Sequence, residues 1–193
     1  GLGHTGGTVD KLESIPGLSM NIPRERFFQI VRETGIAIVG QSGSLCPADK
    51  KLYALRDVTA AVDSMPLIAA SIMSKKLASG ADAILLDVKT GSGALLKSPE
   101  EAQTLARLMV DTGNGAGRRT AALITDMDAP LGRCIGNALE VREAVDVLSG
   151  RGEERLTALC EELAAGMVRL AGLAENQQQA LDMARESVHS GAA

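Results

Sequence analysis

The chain of 193 residues has a formal net charge of −4, is 45% hydrophobic and 23% charged, and holds two Phe, one Tyr and no Trp. That composition suits a globular protein with an aliphatic core, and it lacks the basic runs and stacking aromatics that nucleic acid as a partner would require. No apolar run reaches membrane-spanning length, so no membrane partner is expected, and the widely spaced Cys46, Cys134 and Cys160 fit neither a disulfide framework nor a zinc site, which points to a reducing cytoplasm.

The chain opens on Gly1-Leu2-Gly3-His4-Thr5-Gly6-Gly7-Thr8, a glycine loop rich in hydroxyls. Its N–H and O–H groups suit an anion, and a plain tight turn is the alternative. Gly1, Gly3 and Gly6 match the dinucleotide-binding spacing, but Asp10-Lys11-Leu12-Glu13 is too polar for the buried helix which that fold needs. Ile15-Pro16-Gly17 is a turn. Asn21 is placed to cap a helix with Pro23 near its first position, running through Phe27, Phe28, Ile30 and Val31 and stopping near Gly35. Ile36 to Val39 reads as a buried strand. Residues 41–50, with Gly43 and Pro47, form a linker or hinge.

An all-helical stretch follows over 48–79. Val58, Val62, Ile68, Ile72 and Leu77 recur at helical spacing, and Ser71 and Lys75 share one face. Arg56 precedes Ser71 by fifteen residues, about 22 Å of rise in one straight helix. Ser64-Met65-Pro66 predicts a break there. Pro66 suits the first turn of a new helix, with Ser64 as its cap. The break lets Arg56 fold back beside Ser71 and Lys75, so that three donors converge on one planar, carbonyl-bearing ligand. The alternative is an amphipathic helix with a solvated Lys and a surface Arg.

Ala83 to Val88 is a second strand, running into the loop Lys89-Thr90-Gly91-Ser92-Gly93-Ala94. Ligands of open α/β sheets sit at such carboxyl ends, though an ordinary strand-to-helix connection looks the same in sequence. Ser98-Pro99-Glu100-Glu101 is a capping box. Its helix carries Leu105, Leu108 and Met109 and ends at Gly113-Asn114-Gly115. Thr120 to Ile124 is a third strand, and Asp126 to Gly132 is a loop. Ala138, Val141, Ala144 and Val145 mark a helix closed by Gly150. Two helices with solvated Glu and Arg faces finish the chain, over 156–170 and 177–188. Strand and helix alternate on both sides of the helical stretch. The fold class is therefore α/β: a large α/β domain over 1–47 and 80–193, interrupted at 48–79 by a segment of a small all-α domain.

With these stretches in view, the chain resembles the thymidine and pyrimidine nucleoside phosphorylases. The resemblance rests on Gly-Leu-Gly-His-Thr-Gly-Gly-Thr-Val-Asp-Lys-Leu-Glu-Ser-Ile-Pro-Gly from Gly1, Leu-Tyr-Ala-Leu-Arg-Asp-Val-Thr from Leu52 and Ser-Ile-Met-Ser-Lys-Lys from Ser71. Asp-Val-Lys-Thr-Gly-Ser-Gly-Ala from Asp87 and Pro-Leu-Gly-Arg-Cys-Ile-Gly-Asn-Ala-Leu-Glu-Val from Pro130 continue it in family order. It implies reversible phosphorolysis of pyrimidine nucleosides, with phosphate as co-substrate and no organic cofactor, in a homodimer joined through the small helical domain. It implies that Arg56, Ser71 and Lys75 bind the pyrimidine, Arg56 and Lys75 acting in catalysis, and that Thr8 binds phosphate. It further implies a monovalent cation, such as potassium, held by the main-chain carbonyls of Leu131 and Cys134 and the carboxylate of Glu143.

The chemistry accounts for these residue types. Breaking the glycosidic bond leaves negative charge on the departing base, and fixed donors stabilise that charge as it develops. Arg supplies a planar fork, Lys a point charge and Ser a donor or acceptor for a ring nitrogen. The family's main phosphate loop is expected before Gly1 and a further α/β portion after the last helix. The chain is accordingly read as a piece of a longer enzyme, inactive by itself. Two other readings remain: a phosphoribosyltransferase of similar architecture, which should show an acidic magnesium-binding pair, and a non-catalytic dimerisation module.

Overall fold

The computed structural model describes residues 7–40, 46–58 and 64–193. Along the chain run α1 (Thr8–Leu12), α2 (Arg24–Thr34), α3 (Pro47–Val58), α4 (Met65–Ala78), β1 (Ala83–Thr90), α5 (Pro99–Gly115), β2 (Arg119–Asp126), α6 (Asn137–Leu148), α7 (Glu154–Leu170) and α8 (Gln177–His189). The protein is thus mixed α and β, and among the described residues its sheet is a single parallel pair. Ala83 lies opposite Arg119 and Thr90 opposite Asp126. Parallel strands need a crossover, and α5 supplies it.

The capping box starts α5 as its sequence predicts. Ser98 Oγ accepts from the Glu101 N–H at 3.2 Å, and Glu101 Oε2 accepts from the Ser98 N–H at 3.3 Å. At the other end, Gly113 lets α5 approach β2, because a Cβ there would stand 2.1 Å from Thr120 Oγ1. Side chains alternate across a strand. Ile84, Leu86 and Val88 are therefore buried on one face of β1, in one cluster with Ile68, Ala69 and Met73 of α4 and with Ala102, Leu105, Ala106 and Met109 of α5. The other face meets α7, where Gly166 lies so close to Leu85 that a Cβ would be 2.9 Å from its Cδ2. Small side chains, Ala165, Ala180 and Ala184, are buried between α7 and α8.

Three expectations need correction. Ile36 to Val39 is unpaired among the described residues, with Ile36 67% exposed and Ile38 54% exposed. An apolar run signals burial, but a strand also needs a neighbour for its ladder, and here the Ile36 carbonyl accepts from Thr34 Oγ1 at 2.8 Å while the Gly40 N–H bonds the Met20 carbonyl at 2.8 Å. The cap of α2 is Pro23, not Asn21, while Gly35 closes the helix at φ +81° as expected. The closing helices are not merely solvated. Arg185 Nε bonds Glu161 Oε2 at 2.8 Å, and Gln177 Nε2 bonds Glu162 Oε2 at 2.9 Å, which ties α8 to α7. Of the glycine loop at the chain start, residues 1–6 lie outside the described residues, as do 41–45 of the expected hinge.

Candidate functional site

Helix α4 begins afresh at the break that Pro66 predicts. Ser64 holds the N-cap position in an extended conformation, although its hydroxyl makes no capping bond, and Pro66 sits in the first turn. Ser71 and Lys75 then fall one turn apart. Ser71 is only 7% exposed. Lys75 Nζ donates to Ser71 Oγ at 3.1 Å, so the two side chains form one polar pair on a helix whose inner face is apolar.

The start of α3 lies against the last turns of α4. Pro47 takes the first helical position, for which its fixed φ is suited. Cys46, just before it, adopts φ +51° and donates its thiol to the Ser74 carbonyl at 3.2 Å. One turn on, the Asp49 carboxylate stands 2.8 Å from Lys75 Nζ, its side chain 11% exposed. Arg56 is seven residues beyond Asp49, about 10 Å of helical rise toward the link to α4. Its side chain lies outside the described residues. The structure therefore joins Ser71 to Lys75 and adds Asp49, which the sequence reading did not single out. An acidic residue just after a Pro is a helix-start signal, but nothing local ties it to a lysine 26 positions later.

Thr8 is the first residue of α1 and is exposed. The Gly7 N–H beside it is already bonded to Asp10 Oδ2 at 2.8 Å. Lys11 pairs with Glu140 and ties α1 to α6. The hydrogen bond from Lys11, reinforced by the Gly136 N–H, holds the Glu140 carboxyl below the usual range against a small burial cost. Thr8, Leu131 and Glu143 line one largely apolar groove of about 970 Å³, formed by α1, α6, α7 and α8. Among the described residues, α3 and α4 contribute nothing to it.

The carboxylate expected to hold a cation lies against the loop that carries Leu131 and Cys134. Glu143 of α6 reaches back to the loop before it. Its Oε1 accepts from the Arg133 N–H at 2.6 Å and its Oε2 from the Cys134 N–H at 3.3 Å. Gly132, at φ +76°, permits this, since a Cβ there would meet Glu143 Oε2 at 2.4 Å. Each carboxylate oxygen keeps a further lone pair, and loop carbonyls with one carboxylate make an all-oxygen donor set of the kind hard cations take. In donor chemistry these residues suit such an ion. Among the described residues no cluster of three or more His, Cys, Asp or Glu could hold a metal.

The N–H groups of the loop after β1 are used within the fold. The Ser92 N–H is bonded to Asp128 Oδ1 at 2.7 Å, and the Gly93 N–H to the Met127 carbonyl at 3.0 Å. Lys97 Nζ caps the Ser92 and Ala94 carbonyls at 2.8 and 2.7 Å. These N–H groups are spent inside the fold. The Ser92 N–H also keeps the Asp128 carboxyl below its usual range.

All 193 residues match the glycosyl transferase family, a/b domain. The chain belongs to this family. It is 58% identical over 193 residues to the pyrimidine-nucleoside phosphorylase of Staphylococcus haemolyticus (strain JCSC1435), and equally to those of Staphylococcus aureus strains USA300 and N315. The alignment takes in 100% of this chain and 45% of each relative, so the chain spans less than half the length of these curated relatives. No helix among the described residues is long and apolar enough to cross a membrane.

Proposed function

We propose that the protein carrying this chain catalyses the reversible phosphorolysis of pyrimidine nucleosides, giving free base and pentose 1-phosphate. The family and the names of its relatives support this reading. The observation that carries it is the Lys75–Ser71 contact of 3.1 Å on a helix that restarts at Pro66. In this reading Ser71 and Lys75 receive the pyrimidine, with Arg56 as the third donor, and Arg56 and Lys75 stabilise the negative charge that gathers on the departing base. Thr8 contributes to phosphate binding. Leu131, Cys134 and Glu143 hold a potassium ion that fixes the loop before α6. The helical segment over 48–79 belongs to a small helical domain through which two copies associate in the cytoplasm, and 1–47 with 80–193 belong to the large α/β domain.

The attacking phosphate and the base must be held in one geometry for the bond to break. The 193-residue chain incubated alone with thymidine, uridine and phosphate is therefore expected to release no base. The deciding experiment is steady-state phosphorolysis by the full-length protein. Lys75→Ala is expected to lower kcat by the loss typical of one transition-state donor, about 2.7–4 kcal/mol. Arg56→Lys is expected to be harmful, because a point charge cannot replace a planar fork. Wild-type kcat in both variants would overturn the reading.

A further inference from the structure

We propose that Asp49 is a positioning residue for the base site, acting through Lys75; this inference rests on the reading of Lys75 as a base-binding group. A lysine ammonium sits on four rotatable carbons and carries about 2 kcal/mol of rotamer entropy. At a half-open surface it needs fixed partners to stay on Ser71, and Asp49 is one of them. Its carboxylate is 2.8 Å from Lys75 Nζ and its side chain is only 11% exposed, whereas that of Lys75 is 33% exposed. The ammonium is thus fixed from two sides, by Asp49 from α3 and by Ser71 Oγ from its own helix at 3.1 Å.

Asp49 is itself held. It lies in the first turn of α3, where a carboxylate is favoured by the positive end of the helix dipole. That helix start is anchored to α4 by the Cys46 thiol on the Ser74 carbonyl at 3.2 Å. Cys46 accepts a left-handed φ of +51° there, a conformation disfavoured for a side-chain-bearing residue. The anchor thus sets the carboxylate at the level of Lys75 rather than one turn away. Ser71 gains as well. A hydroxyl that accepts from an ammonium keeps its own hydrogen as a donor directed away from it. The Asp49–Lys75–Ser71 relay therefore fixes both a cation and a hydroxyl in advance of the substrate, which lowers the ordering cost of binding and of charge transfer to the base.

A double-mutant cycle on the full-length protein tests this, reading kcat, KM and melting temperature for wild type, Asp49→Asn, Lys75→Ala and the double variant. Asp49→Asn is expected to lower kcat about tenfold, while in the Lys75→Ala background the same substitution costs less than about twofold, because residues acting through one another are not additive. Asp49→Glu, which keeps the charge, is expected to recover most of the lost rate at an unchanged melting temperature. Losses that add across the cycle, a wild-type kcat in Asp49→Asn, or an Asp49→Glu protein as slow as Asp49→Asn would each overturn the proposal while leaving the base site intact. Wild-type kcat in Lys75→Ala would overturn the base-site reading and this inference together.

Discussion

Two carboxylates, Asp49 and Glu143, each organise a region of this chain, and they do so by opposite means. Asp49 engages another side chain, the Lys75 ammonium at 2.8 Å, across two helices. Glu143 engages main chain, accepting the N–H groups of Arg133 and Cys134 from the loop ahead of its own helix. A pair of side chains depends on the packing of the two elements that carry it. A carboxylate cradled by peptide N–H groups inherits the stiffness of the backbone and depends on a glycine that lets the chain close over it. The first arrangement suits a group that must respond to charge developing on a ligand. The second suits a rigid turn between β2 and α6.

That contrast can be broken by substitution, and the backbone-held region should show the largest loss. Gly132→Ala would place a methyl group 2.4 Å from Glu143 Oε2 at a φ of +76°. Strain and collision together are expected to cost about 3 kcal/mol of stability, read as a lower denaturant midpoint. A wild-type midpoint would mean that the loop is not held by its glycine. Glu143→Gln comes next. It puts an amide against two N–H donors, and about 1.5 kcal/mol is expected to be lost. In the full-length protein it should also abolish any rise in melting temperature on replacing tetramethylammonium chloride with potassium chloride. An unchanged potassium response would remove Glu143 from the cation site.

The side-chain region should yield less in stability and more in rate. Ser71→Ala removes a neutral acceptor from Lys75 and is expected to cost about 1 kcal/mol in unfolding experiments, with a smaller loss in kcat than Lys75→Ala gives. A larger loss than that of Gly132→Ala would reverse the comparison. The smallest effect is expected from a third carboxylate, in a surface ion pair. Glu140 has its folded pKa lowered, first of all by the hydrogen bond from Lys11. Its contribution is therefore fully present above the unfolded value of about 4.3 and is lost as pH falls through the lower folded value. For a surface pair it is worth about 0.2–1 kcal/mol. Lys11→Met should lower stability near neutral pH by that small amount, with the difference from wild type vanishing as pH falls through the folded value; equal stability at neutral pH would leave the pair without energetic weight.

The same contrast explains what could be read from the sequence. Features carried by neighbouring residues were legible: the Ser98 capping box, the new helix at Pro66, the stop at Gly35, and the two strands around Leu86 and Leu123. Ser71 and Lys75 belong with these, since one helical turn separates them. Features that depend on partners distant in sequence were not. Ile36 to Val39 has the composition of a strand and no ladder beside it, and Asp49 finds Lys75 only through the packing of α3 on α4. Asn21 has the side chain of a cap, but the extended Pro23 sets the helix start. The grouping of Leu131, Cys134 and Glu143 came from resemblance, because backbone N–H groups carry no mark in a sequence.

The placement of α4 has a consequence for the time scale on which the polar relay can come apart. Its inner face, with Met73 0% exposed, is part of the cluster built with β1 and α5, and among the described residues α3 contributes no side chain to that cluster. Amide exchange from core elements requires opening of the whole unit, whereas elements tied by a few contacts open locally. The amides of Met73 and its neighbours should therefore be among the last to take up deuterium, while those of α3 exchange early. Ser71 and Lys75 would then sit on the slow side of that boundary and Asp49 on the fast side. An excursion of α3 would break the Asp49–Lys75 pair without disturbing the helix that bears the lysine.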